Sequence, residues 1–182
     1  MLKLDLHNAY DSVECSFIDE ILEELGFPGR IHRLIMQCIS TPTFTFNING
    51  EYFGFVTGKR GLRQGDPMSP LLFTLCLEYL SRLLSIIQQF PGFRFHPLCK
   101  QLKLNHLCFA DDLILFSKGE SKSVSMLCFA FEKFSKASGL TMNKHKSSFL
   151  CNGMSPVLID HVTDITGITR GQLPFIYLGI NI

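Results

Sequence analysis

Apolar and polar residues alternate strictly over Leu2-Lys3-Leu4-Asp5-Leu6-His7. That period predicts a strand with its leucines on a core and Lys3, Asp5 and His7 on a polar face. The spacing then becomes helical: Phe17, Ile18, Ile21, Leu22 and Leu25 share one face, with Asp19, Glu20, Glu23 and Glu24 opposite. The acidic run reads as a solvated face, and Gly26 ends the helix. A second helix opening at Pro28 carries Ile31, Leu34, Ile35, Cys38 and Ile39. Two strands, Phe44 to Ile48 and Tyr52 to Val56, flank Asn49-Gly50, a strong hairpin signal. Ser69 as cap and Pro70 at the first position predict a long apolar helix that stops at Pro91-Gly92. After an irregular stretch over 93–102, two short apolar runs surround Asp111-Asp112. A helical stripe of Val124, Leu127, Cys128, Phe131 and Phe134 ends at Gly139. A polar turn over 143–147, a short strand over 148–151, a small helix over 156–165 and a strand over 173–180 with a glycine bend complete the chain.

Within this pattern, Cys108-Phe109-Ala110-Asp111-Asp112-Leu113-Ile114-Leu115-Phe116 carries the most chemistry. It reads as a hairpin with both carboxylates at or beside its turn. Two carboxylates about 4 Å apart repel by about 1 kcal/mol in water and by several times that near a protein surface. A solvated turn is the first reading of such a pair; a divalent cation is the other way to offset the repulsion. Asp5, on the polar face of the first strand, can converge with them if that strand lies beside the hairpin, a layout suited to two metal ions acting on a phosphoryl group. The segment Gly58-Lys59-Arg60-Gly61-Leu62-Arg63-Gln64-Gly65-Asp66-Pro67 combines glycines that admit close backbone approach with cations. It lacks the Gly-Lys-Ser/Thr of a Walker loop and taken alone reads as an ordinary turn. Lys146 taken alone reads as a solvated lysine.

Composition narrows the setting. Hydrophobic residues make up 46% of the 182-residue chain, with 17 Phe and no Trp, so some apolar surface is expected to meet a partner or a further segment. The formal net charge of +1 gives no global signal for nucleic acid, and any such binding must be local. Seven cysteines, none spaced as a zinc knuckle, point to core thiols in a reducing, intracellular compartment, nucleus or cytoplasm, rather than to a secreted protein. The apolar run Leu71 to Phe90 is interrupted by Glu78 and Arg82 and reads as a buried helix rather than a membrane span. A chain that opens inside a strand is expected to be a fragment.

The motifs in their order resemble the reverse transcriptase palm, and most closely that of plant non-LTR (LINE-type) retrotransposons. Asp5-Leu6-His7-Asn8-Ala9-Tyr10-Asp11 resembles the first palm motif, and Arg60 to Phe73 the second, which is long and specific. Phe109-Ala110-Asp111-Asp112 resembles the catalytic box, Ser138 to Ser147 the fourth motif, and Tyr177-Leu178-Gly179 the primer grip. The resemblance runs end to end and implies an α/β (α+β) palm over residues 1–182, a small antiparallel sheet backed by helices. It implies RNA-directed DNA synthesis with two Mg²⁺ or Mn²⁺ ions held by Asp5 and Asp111, the Leu6 carbonyl assisting and Asp112 a weaker ligand. Tyr10 would exclude a ribose 2′-OH. Gln64 and Gly65 would contact the incoming nucleotide and Arg63 the template or triphosphate. Lys146 would protonate the leaving diphosphate, and Tyr177, Leu178 and Gly179 would position the primer end. RNA template, DNA primer and dNTPs are the implied partners, with no membrane.

Two positions depart from the family pattern: Asn8 stands where Lys is usual and Cys15 where Trp is common. Fingers and thumb, which grip the triphosphate and the duplex, are expected to lie outside these residues, as are endonuclease and RNase H regions. Template affinity of the chain alone should then be poor, because phosphate neutralisation supplies most of it. The alternative to a polymerase is a truncated or domesticated remnant that keeps the palm fold and binds metal, nucleic acid or a protein partner.

Overall fold

The computed structural model describes residues 1–178 and 180–181. The chain runs β1 (Leu2–His7), α1 (Ala9–Ser12), α2 (Cys15–Glu24), α3 (Gly29–Ser40), β2 (Thr43–Ile48), β3 (Glu51–Thr57) and α4 (Ser69–Ile87). A short 3₁₀ turn at Pro97–Cys99 precedes β4 (His106–Phe109), β5 (Asp112–Leu115), α5 (Ser121–Ser138), β6 (Thr141–Met142) and β7 (Ser148–Phe149). Last come α6 (Pro156–Thr166), β8 (Thr169–Arg170), β9 (Ile176–Tyr177) and β10 (Ile180–Asn181).

β1 is the hub. It pairs antiparallel with β5 on one side and with β7 and β6 on the other, giving the order β4-β5-β1-β7-β8. The alternation along β1 decides which face is which. Leu2, Leu4 and Leu6 are buried and join Leu113, Leu115 and Phe149 beneath the sheet. There they meet the apolar stripes of the helices: Phe17 and Leu22 from α2, Leu80 and Leu84 from α4, Leu127 and Phe134 from α5. Phe17 sits edge-on to Tyr79 and Phe134, with ring centroids 5.4 and 6.3 Å away, a favoured aromatic geometry. Helices thus cover one face of the sheet and leave the polar face of β1 open.

α4 is long and apolar enough to cross a bilayer by composition, and it is the one such helix among the described residues. Its stripe from Leu72 through Phe73, Cys76, Leu77, Leu80 and Leu84 to Ile87 is buried, and it packs on α2 and α5. Its start differs from expectation. Ser69 is not the cap but the first helical residue, and it is buried. Asp66 closes the end instead, its Oδ1 accepting the Met68 N–H at 2.9 Å and its carbonyl the Ser69 N–H at 3.1 Å.

The Asn49-Gly50 signal gives the expected hairpin. Both residues take positive φ, 55° and 91°, the backbone that a two-residue turn of this hand requires. Every residue of β2 and β3 is exposed, so the hairpin is an arm carrying Phe44, Phe46, Ile48, Tyr52, Phe53, Phe55 and Val56 into the open. α3 shares this exposure: of its five apolar stripe residues only Ile39 is buried, while Ile31, Leu34 and Cys38 are exposed. A helical period locates an apolar stripe but not what covers it.

Other boundaries shift. The strand expected over 148–151 keeps only Ser148–Phe149. The single strand expected over 173–180 is two short paired strands, β9 and β10. Of the cysteines expected in the core, Cys76 is buried, Cys38 is exposed and the other five are half-buried.

Candidate active site

The polar face of β1 opens into a cleft of about 670 Å³. Asp5, Leu6, Tyr10, Arg63, Gln64, Gly65, Asp111 and Lys146 line it, with His7, Asn8, Ala9, Ser69, Pro70 and Asn143. Four separate stretches of sequence therefore meet at one place. Asp112 does not line the cleft. It stands directly across the β1–β5 pair from Asp5, and residues so opposed present their side chains on one face.

Local backbone explains the placement. Ala110, at φ 50°, turns β4 back into β5 and leaves Asp111 in the turn. Asn8, also left-handed at φ 45°, breaks β1 into α1 and swings Tyr10 to the cleft wall. The Tyr10 ring stacks on Phe73, centroids 4.8 Å apart and planes at 25°, so it packs on the core and lines the cleft at once. Asp5 is clamped by the turn after β6: its N–H donates to Ser147 Oγ at 3.0 Å, and its carbonyl accepts the Asn143 N–H at 2.8 Å. The same turn carries Lys146, whose backbone N–H donates to the Asn143 carbonyl at 3.2 Å.

The loop before α4 supplies the opposite wall. Arg63 donates to the Cys38 carbonyl at 2.6 Å and lies 3.8 Å from Asp66, so its guanidinium ties the loop to the end of α3. Gln64 Nε2 donates to Asp11 Oδ2 at 3.2 Å. Gly65 has φ 88°, and a Cβ there would meet nothing within 4 Å. Its requirement is the left-handed backbone rather than close packing.

Burial pushes the Asp112 carboxyl above its ordinary value; Lys3 draws it down, and Asp111 and Asp5 push it up. The Tyr177 hydroxyl is also raised, first by burial and then by Asp112 and Cys108. Leu178 is exposed with φ 51°; Gly179 lies outside the described residues. Asn143, Ser147 and Asp11 hold the site together, yet no sequence signal singled them out. Their motifs were visible, but a side chain or amide that supports another residue carries no distinct spacing.

Among the described residues no group of three or more His, Cys, Asp or Glu side chains stands close enough to hold an ion by itself. Two carboxylates on a roomy cleft do fit Mg²⁺, which is bound through one or two carboxylates plus substrate phosphates rather than in an all-protein cage.

The sheet is antiparallel as expected except at its edge, where β8 joins β7 in parallel. A small sheet backed by helices, with Asp5 on the open face of its central strand and Asp111 and Asp112 at the neighbouring hairpin, has the architecture of a polymerase palm. Over residues 1–182 the sequence matches the family described as reverse transcriptase (RNA-dependent DNA polymerase), and the chain belongs to that family. It is similar to retrovirus-related Pol polyproteins from type-1 retrotransposable element R2 of Popillia japonica. One is 29% identical over 149 residues, covering 80% of this chain and 23% of that protein. Another is 30% identical over 148 residues, covering 81% and 20%. An uncharacterised mitochondrial protein of Arabidopsis thaliana is 51% identical over 70 residues, 37% of this chain and 56% of that one. The chain therefore spans less than a quarter of the length of the polyproteins it matches.

Proposed function

We propose that residues 1–182 form the palm core of a LINE-type (non-LTR) retrotransposon reverse transcriptase, working in RNA-templated DNA synthesis. One observation carries this reading: Asp5 and Asp111, far apart in sequence, face the same cleft as Gln64 and Lys146. In the proposed step the primer 3′ oxygen bonds to the α-phosphorus of a dNTP while the bond to the diphosphate breaks. Two divalent ions, Mg²⁺ or Mn²⁺, would lower the pKa of the attacking hydroxyl and neutralise the leaving group. Asp5, Asp111 and the Leu6 carbonyl would hold them, with Asp112 as the weaker ligand. Lys146 would give its proton to the departing diphosphate. Tyr10, braced by Phe73, would stand under the incoming sugar and reject a ribose 2′-OH. Gln64 and Gly65 would contact the nucleotide, and Arg63 the template or triphosphate. Tyr177 to Gly179 would seat the primer end, and the charge of Asp112 felt at the Tyr177 hydroxyl supports that reading. The likeness to an Arabidopsis protein supports a plant source, and the odd number of cysteines supports an intracellular setting, nucleus or cytoplasm.

The test is primer extension on an RNA template with dNTPs and Mg²⁺ or Mn²⁺, beside Asp111→Asn. Extension by the wild type that disappears in the variant is expected; equal extension by both would refute the assignment. The exposed arm favours a second reading, a non-catalytic remnant that binds metal, nucleic acid or protein. No extension by either chain, with Mn²⁺ still binding to the wild type, would select it.

A further inference from the structure

Asp11 sits on α1, which is bound edge to edge to the loop that carries Gln64. The Leu62 N–H donates to the Tyr10 carbonyl at 2.7 Å, and the Gly61 N–H to the Val13 carbonyl at 2.8 Å. These two bonds fix the register of the loop on either side of Asp11. Gly61 has φ 92°, and a Cβ there would fall 2.8 Å from the Asp11 carbonyl oxygen and 2.9 Å from its Cα. Only a residue without a side chain lets the loop come this close. At that distance Gln64 Nε2 reaches Asp11 Oδ2 at 3.2 Å. The nearby guanidinium groups are engaged elsewhere, Arg60 with Glu14 at 3.8 Å and Arg63 with the Cys38 carbonyl at 2.6 Å.

We propose that Asp11 is the positioning residue for Gln64, holding the amide nitrogen so that Oε1 and the remaining N–H are offered to the cleft in one orientation. The chemistry allows no other sense. A carboxylate only accepts, so the amide oxygen cannot face it, and the two ends of an otherwise symmetrical-looking side chain become distinct. A glutamine already held loses less rotamer freedom when a ligand arrives. The consequence belongs to ligand binding rather than to the chemical step, and its functional arm rests on the reading of Gln64 as a nucleotide contact.

Two measurements test it. The first needs no activity: ¹⁵N relaxation of the Gln64 side-chain amide in the wild type, Asp11→Asn and Asp11→Ala. The amide is expected to be restrained in the first two, because Asn keeps an acceptor oxygen, and to fall below an order parameter of about 0.6 in the third. Equal mobility in all three, at matched thermal stability, overturns the proposal. The second is the dNTP dependence of primer extension. Asp11→Ala is expected to raise KM about fivefold, as loss of one exposed hydrogen bond does, with kcat unchanged and Asn restoring most of the loss. Gln64→Ala should raise KM as much, and the double variant no further. An additive double variant overturns the coupling. If Gln64→Ala leaves KM unchanged, the nucleotide role of Gln64 fails instead, and the relaxation result alone decides whether Asp11 positions it.

Discussion

Removing one negative charge next to the cleft should make the metal-free protein more stable. Asp112 lies opposite Asp5 across the β1–β5 pair and adjoins Asp111. Its carboxyl is raised above the ordinary range by burial first, with Asp111 and Asp5 adding and Lys3 opposing. A raised folded-state value means that the native state holds the proton more tightly than the unfolded chain. Stability is then greatest below the unfolded value, about 3.9 for Asp, and is lost as pH rises through the folded value. At pH 7 the ionised group is therefore a liability, and Asp112→Asn relieves it. Opposed side chains about 5 Å apart repel by about 3 kcal/mol at an effective dielectric near 20 and by about 0.8 kcal/mol in water. The group borders solvent and Lys3 offsets part of the repulsion, so about 1 kcal/mol is the reasonable net figure. For a chain of this size that corresponds to a rise in Tm of about 2–4 °C. The assay is thermal unfolding in EDTA at pH 7, repeated toward pH 3.5, where the advantage of the variant should vanish because both forms are neutral. Added Mg²⁺ should stabilise the wild type more than the variant if Asp112 contributes to ion binding. A variant less stable than wild type in EDTA at pH 7, or an advantage unchanged at pH 3.5, would refute the electrostatic reasoning.

Three further outcomes are expected. Leu127, fully buried where α5 meets the sheet, should cost about 2–5 kcal/mol when changed to Ala, read from denaturant unfolding. A thiol-specific reagent at pH 8 should modify exposed Cys38 first; Cys76, buried and pushed up to about 12, should react only after unfolding, and early loss of the Cys76 thiol would show a core looser than described. Tyr10→Ala, in a polypeptide that also carries fingers and thumb, should admit ribonucleotides; unchanged discrimination between rNTPs and dNTPs would show that the ring on Phe73 is a packing element alone.

How far the sequence could be read depended on where the information lies. The alternation of β1 identified its buried leucines and its open acidic face, because the period of a strand and the two sides of a sheet are the same fact. The Asn49-Gly50 turn was legible for an equally local reason, since few residue pairs take two left-handed conformations in succession. Partners distant in sequence were not legible. Nothing local says that Ser147 accepts the Asp5 N–H, that Asp66 rather than Ser69 closes the start of α4, or that Arg63 bonds to the end of α3. β6 and β8 are two residues long, too short for any period; β6 is set by its pairing with β1 and β8 by its pairing with β7. The apolar residues of α3 and of the arm marked faces that want burial without saying that these residues leave them uncovered.

The central position of β1 also sets an order of events during synthesis. Leu2 to His7 are made well before their first partner, β5, which begins at Asp112. At about 5–20 residues per second, the roughly 100 intervening residues take on the order of 5–20 s to appear. Through that interval the leucine row has no strand to pair with, while α2, α3 and the Asn49-Gly50 hairpin can form from neighbours. A reading frame closed anywhere before residue 112 therefore removes every strand that pairs with β1 and leaves an aggregation-prone apolar edge, whereas in-frame loss of residues 43–57 would spare the sheet. A stop before residue 112 would lose this fold all at once, and a deletion confined to the arm could keep it.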